Sequence, residues 1–305
     1  MRILFHVGVG NLDRPFRWQF VNQIFSDLAR TLESLGHRCL LWNHPQAPNI
    51  RIYRRHITSK LVKGEGLKIS RAFHPDWVFT WNGSNEGDKL IKKEFGLDRM
   101  VYAELGFFNH YKTLYFDFMG VNGDSENLTE ELLPFDAELY DKIKKQYIKP
   151  PLYAGSFTFV PLQDESDTNI TMYSPIKKMD DLLQYVEDTY SPKENMKVLF
   201  KQHPMAKSRI TPRENFIEVT EGVHHYLPYA SKVIGVNSNT LLESLIYHDN
   251  VVSLGKGITS RSLTGDEHKQ YVTHLFKKQF NMSDMTNIEL IKVSRFYKTL
   301  VRKGR

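Results

Sequence analysis

The run Phe157-Thr158-Phe159-Val160-Pro161-Leu162-Gln163 leads into Asp164, Glu165 and Asp167, and a later run, Val198-Leu199-Phe200, ends in Lys201-Gln202-His203-Pro204. A stretch with helical spacing separates them, so the order is strand, acidic loop, helix, strand, basic loop. In a parallel α/β sheet the strand ends gather on one edge, where ligands bind. Lys201 and His203, together with Ser238, Asn239 and Thr240 at the start of a later helix, would supply cations, hydroxyls and free N–H groups. That combination suits a phosphate and its charge as it leaves. His203 can equally be a structural histidine. Asp167 is open to two readings: turn chemistry, for which Asp and Ser are common, or a carboxylate nucleophile or ion-pair stabiliser beside an anomeric carbon. Glu104, after an apolar run at 100–103, is either a cap or surface acid or an acid/base acting on an acceptor hydroxyl. Gln163 and Glu243 stand beside these groups as donor-site support. No metal is expected, because the acids at 164, 165 and 167 follow no calcium-loop pattern and no histidine is adjacent.

The elements that must position these residues belong to a chain of 305 residues, 41% hydrophobic and 25% charged, with a single cysteine, Cys39. The length suggests about two domains, and the composition is that of a soluble globular protein. One cysteine excludes an intrachain disulfide and a cysteine-based metal cluster, and a reducing cytoplasm is the simplest compartment. The first residues, Met1-Arg2-Ile3-Leu4-Phe5-His6-Val7, are soon broken by Gly8 and Gly10 and read as a buried strand, not a signal peptide. The net charge of +6 suits an anionic partner. The excess is concentrated at 51–71 and 292–305, which read either as solvated faces or as a docking surface for anionic lipid. The basic residues lack an RRM, helix-turn-helix or zinc-finger context, so no nucleic-acid partner is expected.

Taken in order, the spacing predicts a strand at 2–9, a helix with Phe16, Phe20, Ile24, Leu28, Leu32 and Leu35 on one face, a C-cap at Gly36 and a second strand at 38–42. This is a βαβ opening. Helix with loops is expected at 51–71, strands at 76–81 and 100–103 with a helix at 87–95 between them, an ordered loop at 115–125, and a polar helix at 127–148. Lys149-Pro150-Pro151 is the expected stiff connector, dividing an acceptor-side domain at 1–150 from a nucleotide-binding domain at 151–305. The second half repeats the rhythm: strands at 157–162, 198–201, 216–219, 232–236 and 251–254, helices at 179–190, 223–230 and 241–247, then terminal helices at 268–280 and 286–302. Two Rossmann-like halves facing a cleft, with a terminal helix packing back across both, describe the GT-B glycosyltransferase architecture. A dinucleotide-binding dehydrogenase is disfavoured because neither half has the full glycine fingerprint.

A set of short motifs, in order, is similar to the bacterial capsular polysaccharide β-Kdo transferases, Kdo being an eight-carbon sugar acid. The residues are Val160-Pro161-Leu162-Gln163, Asp167 and Ile170, Ser174-Pro175, Phe200-Lys201-Gln202-His203-Pro204-Met205, Val236-Asn237-Ser238-Asn239-Thr240-Leu241-Leu242-Glu243 and Val251-Val252-Ser253-Leu254-Gly255. Glu104-Leu105-Gly106-Phe107 resembles that family's Glu-x-Gly-Phe, and the 117–125 loop matches more loosely. Asn239 departs from the family's second hydroxyl residue. The resemblance implies a retaining, metal-independent enzyme with CMP-Kdo as donor substrate and a glycan or glycolipid acceptor of a surface polysaccharide. It implies Asp167 as nucleophile, Glu104 as acid/base, and His203 and Ser238 on the CMP phosphate. A cytoplasmic setting is expected from the single cysteine, and contact with the cytoplasmic face of the inner membrane from the basic segments. Transfer from CMP-sialic acid or another nucleotide sugar is the alternative with the same fold. A non-catalytic glycan- or lipid-binding protein on this scaffold is the alternative of another class.

Overall fold

The computed structural model describes residues 1–7, 15–43, 56–58, 65–84, 86–190, 197–204 and 208–304. They form two compact units. The first holds 1–121 and 278–305, the second 122–277.

The first unit is built on β1 (Arg2–His6), α1 (Pro15–Ser34), β2 (Arg38–Asn43), β3 (His56–Thr58), α2 (Glu65–Phe73), β4 (Trp77–Trp81), α3 (Glu86–Phe95), β5 (Met100–Leu105) and β6 (Thr113–Asp117). Ile24, Leu28 and Leu32 recur every four residues along α1, with Phe25 three before Leu28, and all are buried. Gly36 follows α1 at φ 87°, a left-handed conformation that glycine adopts without a Cβ penalty. The sheet order is β12-β6-β5-β4-β1-β2-β3, with β12 (Gln279–Asn281) supplied by the C-terminal segment. From β5 to β3 the strands are parallel. β6 runs antiparallel to β5, and β12 antiparallel to β6.

The second unit contains α4 (Ala137–Tyr147), β7 (Phe157–Pro161), α5 (Thr168–Thr171), α6 (Met179–Tyr190), β8 (Lys197–Lys201), β9 (Phe216–Glu218), β10 (Lys232–Gly235), α7 (Asn239–Ser244), β11 (Val251–Ser253) and α8 (Glu267–Lys278). Its sheet, β11-β10-β7-β8-β9, is parallel throughout. Apolar side chains cover both faces: Val160, Leu162, Leu182, Leu183, Val186 and Ile234 on one, and Phe157, Phe159, Tyr226, Leu227 and Val233 on the other. Burial on both faces explains why β7 and β8 read as continuous apolar runs. After α8 come β12 (Gln279–Asn281), α9 (Ile288–Val293) and α10 (Arg295–Lys303).

Several expectations change. The units do not divide at Lys149-Pro150-Pro151. α4 buries Tyr140, Ile143 and Tyr147, and the Tyr140 hydroxyl donates to the Ile246 carbonyl at 2.7 Å. The proline segment itself is tied down in the second unit, with His225 Nδ1 2.7 Å from the Pro150 carbonyl and the Tyr229 hydroxyl donating to Lys149 O at 2.8 Å. The polar helix is α4 alone and starts after Pro134, with Asp136 as N-cap accepting from Leu139 N at 3.0 Å. Part of the expected loop at 115–125 is strand β6. The 223–230 helix is a pair of 3₁₀ turns, Val223–His225 and Leu227–Tyr229, with Pro228 in the second. The 286–302 helix is broken by Ser294, which caps α10 by accepting from Tyr297 N. α9 and α10 belong to the first unit, where Ile291, Phe296 and Leu300 join the core. The turn at Gly8-Val9-Gly10 and the basic residues at 51–55, 60 and 63 lie outside the described residues.

Candidate active site

Three neighbouring strands of the second unit, β10, β7 and β8, bring most of the sequence-predicted residues to one sheet edge. Parallel pairing aligns Pro161 at the end of β7 with Lys201 at the end of β8. Chain reversal after β7 gives the Asp164–Asp167 loop, after β8 the Gln202–Pro204 loop, and after β10 the Asn237–Thr240 turn.

The acids of the first loop take separate jobs. Asp164 Oδ1 accepts from Ser166 N at 2.9 Å and from its hydroxyl at 2.7 Å. Glu165 accepts from Met179 N at 2.9 Å and from Lys178 Nζ at 3.0 Å, so it closes the N-terminus of α6. Burial acts against its charge, but these donors hold the carboxyl below its usual range. Asp167 is the N-cap of α5, with Oδ1 accepting from Asn169 N at 2.8 Å, and it is exposed. The cap occupies Oδ1, and Oδ2 is the oxygen that can meet a ligand. Among the described residues no group of three His, Cys, Asp or Glu side chains is arranged to hold a metal ion.

Lys201 Nζ donates to the Thr220 carbonyl, which ties the end of β8 to the loop after β9. Any contact with a phosphate needs that ammonium to share its donors. His203 is half-buried two residues further on. Ser238 caps α7 and accepts from Thr240 N at 3.3 Å. α7 starts at Asn239 and has only 6 residues, so the field at its N-terminus is weaker than the sequence suggests. Asn239 Nδ2 reaches Glu243 Oε1 at 3.4 Å, one turn on.

Glu243 leads into a polar network beneath this edge. Its Oε2 lies 3.4 Å from His224 Nε2, and His224 Nδ1 lies 3.0 Å from the Tyr247 hydroxyl. Burial pushes the Glu243 carboxyl up to about 7. Burial first, then the Lys149 and His225 charges, push His224 down to about 4. Both shifts favour the uncharged form of the group concerned.

Glu104 lies in the first unit. It sits on β5 itself, opposite Tyr115 of β6. Its Oε1 accepts from Leu105 N at 2.8 Å, and its Oε2 from Asn82 Nδ2 at 2.6 Å. The Glu-x-Gly-Phe residues fit this hairpin for steric reasons. A Cβ on Gly106 would stand 2.0 Å from Thr113 Oγ1, and Phe107 stacks on Tyr115 at 4.2 Å.

Sequence reasoning read Asn82 only as part of a turn and gave no role to Asn237. Asn237 Nδ2 donates to Lys256 O at 3.0 Å and Asn169 O at 3.3 Å, joining the loop after β11 to the helix that Asp167 caps. A Cβ on Gly255 or Gly257 would come within 2.6 or 2.8 Å of the Asn237 side chain, so both glycines make room for it. Gln163 Oε1, at the end of β7, is buried and has no hydrogen-bond partner. Such an acceptor favours a ligand N–H or O–H. A separate groove of about 790 Å³, lined by Tyr140, Lys144, Tyr247 and Lys269 among others, includes none of Asp167, Lys201, His203 or Ser238.

No family model matches the sequence. Over 202 residues the chain is 25% identical to the protein FixF of Sinorhizobium fredii (strain NBRC 101917 / NGR234), covering 59% of this chain and 49% of that protein, so it matches about half of the relative's length. In structure it is similar to Thermosulfurimonas dismutans KpsC, beta Kdo 2,7 transferase, with a TM-score of 0.58, 15% identity and coverage of 95% of this chain and 100% of that one. It is also similar to the Thermosulfurimonas dismutans KpsC, beta Kdo 2,4 transferase, with a TM-score of 0.52, 14% identity and coverage of 93% and 96%. At these identities the likeness is one of fold: an α/β chain of two Rossmann-like units, the GT-B class.

Proposed function

We propose that this chain is a retaining glycosyltransferase that moves Kdo from CMP-Kdo to a glycan or glycolipid hydroxyl in bacterial surface polysaccharide synthesis, by double displacement. The observation that carries the reading is the gathering of Asp167, the Lys201–His203 loop and Ser238 on one edge through the order β10-β7-β8. The motif resemblance and the fold likeness support it. In the first step Asp167 Oδ2 attacks the anomeric carbon. The bond to the CMP phosphate oxygen breaks, and its electron pair leaves with the phosphate, whose charge His203, Lys201 and the Ser238 turn stabilise. In the second step the acceptor oxygen attacks the same carbon, its proton passes to Glu104, and the Asp167 carboxylate is released. Two inversions retain configuration. No metal enters this scheme, because the phosphate monoester leaves as a stable anion among protein donors.

Peripheral contact with an anionic membrane at the cytoplasmic face belongs to the same proposal. It rests on the exposed Lys292, Arg295, Lys298 and Arg302; no helix among the described residues is long and apolar enough to cross a membrane. Thermal unfolding with added nucleotide tests the donor class. CMP is expected to raise the midpoint above that with UDP or GDP. Preferential stabilisation by UDP would overturn the CMP assignment, and transfer from CMP-sialic acid but not CMP-Kdo would replace the sugar.

A further inference from the structure

The polar groups around Glu104 form a chain that ends on α3. Asn82 and Gly83 follow β4 in left-handed conformations, φ 61° and 79°. Asn tolerates this region better than most residues and glycine tolerates it freely. Lys92, on α3, donates Nζ to the Gly83 carbonyl at 2.6 Å and lies over the Tyr102 ring at 4.9 Å. A Cβ on Gly83 would stand 2.5 Å from that ring, so Tyr102 packs closely against the turn. Tyr102 and Glu104 are two residues apart on β5 and face the same side of the sheet. The Asn82 carboxamide, fixed by this turn, donates to Glu104 Oε2.

We propose that Asn82, held by Lys92 through the Gly83 carbonyl, is a positioning residue for Glu104 and serves only the second displacement. This rests on the reading of Glu104 as the group that takes the acceptor proton. The leaving phosphate of the first displacement needs no proton, so a carboxylate that accepts from Asn82 and Leu105 matches a base throughout the cycle. In the second displacement the acceptor O–H bond breaks with its proton passing to a Glu104 oxygen. The acceptor oxygen bonds to the anomeric carbon, and the pair of the carbon–Asp167 bond returns to Asp167. A carboxylate free to rotate away from the acceptor loses the geometry that general-base catalysis requires. The first displacement does not involve it.

The experiment uses CMP-Kdo with water as acceptor, and separates the rapid burst of CMP from the steady-state rate. Asn82→Gly keeps the left-handed backbone and removes only the carboxamide. It is expected to give the wild-type burst with a steady-state rate at least about tenfold lower. Azide, an anionic nucleophile that needs no base, should restore turnover. Lys92→Met should act in the same direction with a smaller loss. A steady-state rate equal to wild type in Asn82→Gly would overturn the proposal. So would loss of burst and steady state together in a variant whose unfolding midpoint is unchanged, or a slowed rate that azide leaves unaltered. No CMP release by the wild-type chain would instead overturn the functional reading, and this proposal with it.

Discussion

At the Glu243–His224 pair, burial acts on two groups of opposite charge. The Glu243 carboxyl, raised to about 7, contributes stability that is present below its ordinary value and lost as pH rises through 7. His224, lowered to about 4, contributes stability that is present above its ordinary value and lost as pH falls through 4. Replacing Glu243 by Gln keeps an acceptor for Asn239 and removes the charge. The variant should exceed wild type in urea unfolding by under about 1 kcal/mol at pH 5 and by about 3 kcal/mol at pH 8. A loss of stability at pH 8 would mean an ionised Glu243 paired with a charged His224. Asp180 behaves in the opposite sense. The Arg213 guanidinium first, then the Thr211 donors, hold its carboxyl at about 2 against desolvation. Its contribution is present above the ordinary carboxylate range and lost as pH falls through 2. Asp180→Asn should cost about 1–2 kcal/mol at pH 7, discounted because the side chain is 32% exposed.

At the scale of elements, the apolar runs at β4, β7 and β8 and the three-to-four spacing of α1 were legible because burial writes them into local sequence. The placement of α4 was not. A polar helix followed by two prolines reads as the end of the first domain, while its Ile143 is buried in the second unit. Ile143→Ala should therefore destabilise that unit by about 2–5 kcal/mol in calorimetry; a change under about 0.5 kcal/mol would mean that Ile143 is no part of that unit's core. β12 was illegible for a different reason. Its pairing of Phe280 with Leu114 joins residues far apart in sequence, and three residues with one buried aromatic carry no strand period. The Ser238 turn was legible as a helix start, whereas the tie from Asn82 to Glu104 spans 22 positions with no shared local signal beyond an Asn-Gly turn.

For the whole molecule, the division into 1–121 with 278–305 and 122–277 assigns Glu104 to one unit and Asp167, His203 and Ser238 to the other. The proposed reaction therefore draws its base and its nucleophile from separate halves of the chain. Its two steps can be separated by disabling Glu104. The central claim is that Asp167 becomes covalently attached to the sugar. Glu104→Ala incubated with CMP-Kdo, quenched in acid, digested and read by mass spectrometry, should carry one sugar on the peptide that contains Asp167, with CMP released in equal amount. The Asp167→Asn, Glu104→Ala double variant should carry none. CMP release without any adduct, or an adduct on another residue, would contradict the account.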